Sequence, residues 1–227
     1  HRIGFPDEFL ELATDRVGKG FTVVQIVAGL YPDMPPFDER GANEKGFPWE
    51  KDYTRIRPEY FQAADKRLAA MVDSGLAPCL VGAWGYFAPW MGEAKLKQHW
   101  RYLVARYGAF RSLFAWELAS EMDLVRAPYP LVAKFFEGLA RTLRAEDAYR
   151  HLVTTSVAGR PRAFDPSPFA SDAWDFATLH AYGEAYARTL PSDFQVLGAL
   201  GKPVVVAEFG LDTEGRVDVR DTAGRHL

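Results

Sequence analysis

The sequence has 227 residues, 48% hydrophobic and 14% aromatic, enough to bury one large core, and its formal net charge is −3. Charges of both signs are interspersed without a basic stripe, which argues against a nucleic-acid partner, and no stretch is apolar enough to span a membrane. The one cysteine, Cys79, excludes an internal disulfide framework and lies in an apolar stretch, so we expect a buried structural thiol. Together these features predict a single domain whose partner is a neutral or small ligand.

Six short apolar runs predict strands. In chain order they are TVVQIV (22–27), PCLVGAW (78–84), LFAWELA (113–119), HLVTTS (151–156), DFATLHAY (175–182) and PVVVAEFG (203–210). Apolar residues three or four apart predict helices over 61–72, 96–107 and 131–143. Nearly continuous apolar runs are typical of parallel strands covered on both faces. The alternation of strands and helices therefore predicts an α/β fold.

The segment from Leu30 to Pro58 contains five prolines and predicts a long loop after the first strand. In a (β/α)₈ TIM barrel such loops build the active face, although a packed surface excursion explains the pattern equally well. Six strands do not close an eight-stranded barrel, so we expect residues 1–227 to form a single barrel domain that lacks its first and last strands. A doubly wound sheet is the alternative, but no glycine-rich nucleotide-binding motif accompanies any strand.

Candidate functional residues lie at the C-terminal ends of the predicted strands: Trp84, Glu121, His180, Tyr182 and Glu208. Because parallel strands of one barrel end at the same face, we expect these side chains to converge. Two carboxylates on one rim suit glycoside cleavage, in which one protonates the leaving oxygen and the other attacks or activates water. Glu208 is the natural nucleophile and Glu121 the natural acid and base.

Three motifs carry a resemblance to a known group of enzymes. FAWELASE, DFATLHAY and KPVVVAEFG resemble the strand-four, strand-six and strand-seven signatures of clan A glycoside hydrolases, retaining (β/α)₈ enzymes that include cellulases and mannanases. The stretches GFTVVQIVAGLYPD and PCLVGAWGYFAPWMGEAKLKQHWRYLVARYGAF are similar to the apiosidase-like branch of such barrels. The resemblance implies that Glu121 is the acid/base, Glu208 the nucleophile, and Tyr182 a hydroxyl that orients the nucleophile.

The resemblance also implies how a sugar would be bound. Trp84, Tyr86 and Trp90 would form stacking walls, because aromatic faces bury the apolar side of a sugar ring. Ser120 stands where clan A enzymes usually have an asparagine that contacts the sugar 2-hydroxyl, and a serine hydroxyl could bind the same group. His180 is either a packed rim histidine or a substrate ligand. Export to the periplasm or the extracellular space is implied as well, although this chain shows no signal sequence.

Other chemistries have less support. No H-x-H or H-E-x-x-H pair suggests a metal site, and no G-x-S-x-G elbow suggests a serine hydrolase. Glu117, inside a predicted strand, is expected to pair with a buried arginine or a backbone donor rather than to act in catalysis. The leading hypothesis is a retaining O-glycoside hydrolase acting on a polysaccharide or oligosaccharide without a cofactor. The alternatives are a carbohydrate-binding barrel that has lost catalysis, which Ser120 motivates, and an incomplete barrel that is inactive in isolation.

Overall fold

The computed structural model describes residues 4–30, 37–85, 87–158 and 165–209. The helices are α1 (Asp7–Gly18), α2 (Pro58–Asp73), α3 (Phe87–Tyr107), α4 (Tyr129–Glu146) and α5 (Gly183–Gly198). The strands are β1 (Val23–Val27), β2 (Ala77–Val81), β3 (Ala115–Glu117), β4 (Leu152–Thr154), β5 (Ser156–Val157), β6 (Ala177–Ala181) and β7 (Val204–Phe209). The predicted alternation of strands and helices is confirmed over these residues.

All the paired strands run parallel, in the orders β1-β2-β3-β4 and β5-β6-β7. The two sheets meet within one predicted run, HLVTTS, because β4 and β5 are consecutive and only Thr155 separates them. The backbone N–H of Ser156 donates to Ala119 O at 3.1 Å, which carries the contact with the β3 segment past the break. The six predicted strands therefore lie side by side in chain order, and β4 and β5 together correspond to one of them. Among the described residues β1 and β7 each have one strand neighbour, and the domain boundaries stay a prediction.

Helices pack on these strands through residues that the sequence spaces three or four apart. Helix α2 begins with Pro58 in its first turn, where a missing N–H is tolerated, and it is followed by Gly75 with φ of 91°. Helix α3 lies so close to the end of β2 that a Cβ at Gly82 would stand 1.9 Å from the Trp100 ring. Only glycine permits this approach, and it fixes the strand end that precedes Trp84.

The described part of the long segment after β1 is packed rather than projecting. Trp49 and Tyr53 are buried in the main core, and the Trp49 indole donates to Nδ1 of the fully buried His99 at 3.2 Å. The segment also borders a groove of about 330 Å³ whose lining includes Phe37, Phe47 and Trp49 but none of the candidate catalytic residues. These observations favour the packed excursion for this part of the chain.

The structure also bears on the predictions for Cys79 and for membrane-spanning segments. Cys79 is buried, as predicted, and burial raises the pKa of its thiol. No helix in the part of the chain that the structure describes is both long and apolar enough to cross a membrane.

Candidate active site

Strand pairing brings Trp84 beside Glu121. The segments that follow β2 and β3 stay paired. Ser120 N donates to Ala83 O at 3.0 Å, and Gly85 N donates to Ser120 O at 2.8 Å. Through this contact the Trp84 indole reaches Glu121 and donates to its Oε2 at 3.1 Å. The aromatic residue that ends one strand thus binds the acid that follows the next.

Glu121 has an unusual backbone conformation. Its φ and ψ of 55° and 50° lie in the left-handed region, which a residue with a Cβ seldom adopts. Two neighbours hold it there: its N–H donates to Ser156 Oγ at 3.1 Å, and Gly85 lies so close that a Cβ on it would be 2.8 Å from Glu121 O. Such conformations cluster at functional sites and persist only where the surroundings fix them.

The two predicted catalytic carboxylates converge on His180. His180 Nδ1 lies 3.1 Å from Glu121 Oε1, and His180 Nε2 lies 3.4 Å from Glu208 Oε1, an ion-pair distance without hydrogen-bond alignment. One carboxylate oxygen of each glutamate and a ring nitrogen of His180 all lie within 4.8 Å of one another. Tyr182, just beyond β6, donates its hydroxyl to Glu208 Oε2. The expected convergence of these residues on one rim is therefore observed.

The pKa values of Glu121 and His180 are shifted in opposite directions. Burial alone would raise the pKa of Glu121, but hydrogen bonds from His180 and Trp84 and the His180 charge hold it below its usual value. Burial alone would lower the pKa of His180, but the hydrogen bond to Glu121 and the negative charges of Glu208, Glu117 and Glu121 raise it. The arrangement therefore favours a His180 imidazolium that donates to a Glu121 carboxylate.

The remaining predicted site residues are placed differently from one another. Trp90 is 47% exposed on α3, and the plane of its ring lies at 84° to that of Phe87. Trp84 is buried and uses its indole N–H on Glu121, while Tyr86 lies outside the described residues. Ser120 is fully buried, and its hydroxyl lies 3.1 Å from Ser156 Oγ. The sugar contacts of all four residues stay predictions.

Sequence reasoning missed the partners of Glu117. This glutamate is the last residue of β3 and is almost fully buried, but among the described residues its donors are not the buried arginine or backbone group that the sequence predicts. Its donors are the Gln25 amide at 2.5 Å and the Ser156 hydroxyl at 2.7 Å. Gln25 inside the apolar run VVQIV was the available signal, because a lone amide in an otherwise apolar strand requires a polar partner where it is covered.

The spacing of Glu121, His180 and Glu208 would also suit a metal ion, since carboxylate and imidazole groups are common ligands. Each carboxylate, however, already accepts a hydrogen bond, Glu121 from Trp84 and Glu208 from Tyr182. These contacts orient the two carboxylates, and each keeps a second oxygen that lies beside His180.

One family model and several solved structures are similar to this chain. The family model described as "Apiosidase-like, catalytic domain" matches residues 5–190. No curated protein sequence matches the chain. Among solved structures, a glycoside hydrolase family 5 mannosidase from Rhizomucor miehei is 15% identical, with 96% of this chain and 69% of that chain covered and a TM-score of 0.67.

Two bacterial structures give similar matches. An exo-β-1,4-mannosidase from Opitutaceae bacterium strain TAV5 is 18% identical, with 93% of this chain and 43% of that chain covered and a TM-score of 0.67. A glycoside hydrolase family 5 protein from Bacteroides vulgatus ATCC 8482 is 19% identical, with 89% and 46% covered and a TM-score of 0.64. The chain spans 40%, 64% and 43% of the length of the first three solved structures that it matches. At these identities the likeness concerns the fold, and it confirms the predicted (β/α)₈ barrel class.

Proposed function

The chain belongs to the apiosidase-like catalytic domain family, and we propose that it is a retaining O-glycoside hydrolase acting on a polysaccharide or oligosaccharide. The observation that carries the proposal is the approach of Glu121 and Glu208, which bring one carboxylate oxygen each within 4.8 Å. Retaining enzymes keep their two carboxyl groups about 5 to 5.5 Å apart, whereas inverting enzymes leave roughly 6.5 to 9.5 Å for a water molecule. The short separation favours the retaining reaction.

Glu208 is the proposed nucleophile. The Tyr182 hydroxyl fixes the rotation of the Glu208 carboxylate by donating to one oxygen, and His180 adds positive charge beside the other. In the first step a Glu208 oxygen bonds to the anomeric carbon while the bond from that carbon to the leaving oxygen breaks. The product is a glycosyl ester, and Tyr182 orients the attacking group before the step begins.

Glu121 is the proposed acid and base. In the first step it gives a proton to the leaving oxygen, and in the second it takes a proton from the water whose oxygen displaces Glu208 from the anomeric carbon. The low pKa of Glu121 in the free protein suits the second role directly. For the first role, Nδ1 of protonated His180 lies 3.1 Å from Glu121 Oε1, so His180 can return a proton to Glu121.

The test is a panel of aryl glycosides and plant or microbial oligosaccharides, assayed with the unmodified chain and three variants. We expect Glu208→Ala to lose about 10⁴-fold or more in turnover, and Glu121→Ala to lose most on glycosides with poor leaving groups. Glu93→Ala, at an exposed glutamate paired with Lys97, is the matched control and should hydrolyse normally. Undiminished turnover by Glu208→Ala would remove that residue from the mechanism, and a first product of inverted anomeric configuration would exclude retention.

A second candidate function is a carbohydrate-binding barrel without catalysis. It is favoured by Ser120, whose hydroxyl is buried against Ser156 and so does not replace the asparagine expected to contact a sugar. In that case calorimetry would show oligosaccharide binding that survives Glu121→Ala and Glu208→Ala, with no release of reducing ends. For either function we propose a location outside the cytoplasm, where polymeric glycans are met.

A further inference from the structure

A buried glutamate, Glu117, ends β3 four residues before Glu121. Glu117 accepts hydrogen bonds at both of its oxygens, from Gln25 on β1 and from Ser156 on β5. These donors come from opposite sides of β3, since β2 separates Gln25 from Glu117 and β5 lies beyond the other edge of β3. The side chains thus join three strands inside the curved sheet, where an unpaired carboxylate would be strongly disfavoured.

The Ser156 hydroxyl connects this buried acid to the acid/base residue. A hydroxyl has one proton to donate, and Ser156 gives it to Glu117. Its oxygen then accepts from two groups, the backbone N–H of Glu121 at 3.1 Å and the Ser120 hydroxyl at 3.1 Å. Because an N–H can only donate, the bond from Glu121 to Ser156 forms whichever way the hydroxyl protons point.

This bond acts at the point where the chain leaves the strand direction. Glu121 has left-handed dihedral angles, and the turn they produce sends its carboxylate to Trp84 and His180. The close approach of Gly85 fixes one side of the turn, and the N–H bond to Ser156 fixes the other. Without the acceptor, the partly buried N–H of Glu121 loses its partner and the turn loses one of its two restraints.

We propose that Glu117 and Ser156 are positioning residues for Glu121: Glu117 holds the Ser156 hydroxyl, and Ser156 holds the backbone that aims the acid/base carboxylate. This inference rests on the proposed function, because it assigns a role relative to the acid/base. It also gives Ser120 a role, since the Ser120 hydroxyl completes the hydrogen bonding of Ser156 in place of a sugar contact. Substrate recognition then depends on other residues of the rim.

The first arm of the test uses leaving-group dependence. Ser156→Ala removes the acceptor, and Thr154→Val is the matched control, since Thr154 is equally buried but its hydroxyl bonds Phe176 O and Thr178. We expect Ser156→Ala to lose about 10- to 100-fold in kcat/KM on glycosides with poor leaving groups, which need the acid, and under about 3-fold on dinitrophenyl glycosides, which do not. Glu117→Leu, which cannot accept from the Ser156 hydroxyl, should show the same selective loss. Equal losses on both substrates, or none, would overturn the proposal.

The second arm does not depend on hydrolysis. The Trp84 indole N–H donates to Glu121, so its ¹H–¹⁵N resonance should follow the titration of that carboxylate. In Ser156→Ala we expect the resonance to move upfield and lose its pH dependence, whereas Thr154→Val should keep the original behaviour. An unchanged Trp84 resonance in Ser156→Ala would refute the positioning role. If no glycoside is cleaved by the unmodified chain but the resonance responds as expected, the proposed function fails and the positioning role stands.

Discussion

His99 should make the stability of the protein sensitive to mild acid. It is fully buried, its Nδ1 accepts from the Trp49 indole at 3.2 Å, and its Nε2 donates to Gly82 O at 3.0 Å. Burial lowers the pKa of His99 from 6.5 to about 4, because a charged ring would be desolvated and its new N–H would face that of Trp49. Between these two values the unfolded chain binds a proton that the folded chain excludes.

The sign of the effect follows from that difference. Stability from neutral His99 is fully present above pH 6.5 and falls as the pH drops towards 4, since protons favour the unfolded state. Each pH unit below 6.5 lowers the free energy of unfolding by about 1.4 kcal/mol, which gives a loss of about 2 kcal/mol at pH 5 relative to pH 7.5. Because His99 bonds Gly82, two residues before Trp84, we expect its protonation to loosen the rim of the site as well.

The assay is urea unfolding at several pH values for the unmodified chain and for His99→Gln. Glutamine can accept from Trp49 and donate to Gly82 without titrating, so the difference between the two curves isolates His99 from every other titrating group. We expect this difference to change by about 2 kcal/mol between pH 7.5 and pH 5 in favour of the variant. Parallel curves for the two proteins would refute the reasoning.

Three other predictions concern the site. In Gly85→Ala the new Cβ would lie 2.8 Å from Glu121 O, so we expect the free energy of unfolding to fall by about 1 to 3 kcal/mol and hydrolysis to fall with it; a melting temperature equal to the parent's would contradict this. Ser120→Ala should lose about 1 kcal/mol of stability with KM unchanged, because its hydroxyl serves Ser156; a raised KM would show a sugar contact instead. His180→Gln removes the ion pair between His180 and Glu121. In the parent, the stability that this pair contributes is lost as pH falls through the lowered pKa of Glu121 or rises through the raised pKa of His180. The parent's stability advantage over this variant should therefore be greatest between about pH 4.5 and 6.5, and an advantage that does not vary with pH would reject the pairing.

The sequence was sufficient to predict the strands and the rim because both depend on strong local signals. Runs such as PVVVAEFG are apolar apart from one charged residue near the C-terminal end, so the strand and its functional end can be predicted together. Glu121, His180 and Glu208 could be grouped without knowing any distance, since parallel strands of one barrel share a C-terminal face.

The interior hydrogen bonds could not be predicted in the same way. Gln25 and Glu117 are 92 residues apart, and Glu117 and Ser156 are 39 apart, so no local pattern joins them. The left-handed turn falls on a glutamate rather than a glycine, so the local sequence does not predict it. The glycine that permits it is Gly85, on the neighbouring strand segment. Such features depend on which strands become neighbours and on how closely their backbones approach, and these are properties of the assembled sheet.

The spacing of the two proposed catalytic glutamates depends on that assembly. Glu121 follows β3 and Glu208 lies in β7. The strands between them are the β4–β5 segment and β6. Neighbouring strands lie about 4.8 Å apart, so a flat sheet would separate β3 and β7 by roughly 14 Å. The carboxylate oxygens nevertheless come within 4.8 Å of each other, which requires the sheet to curve and both side chains to point to its concave side. The curvature of the barrel therefore sets the spacing of the pair, and a change that flattens the sheet at Thr155 or Leu179, where its regular pairing is interrupted, should disable the site without touching either glutamate.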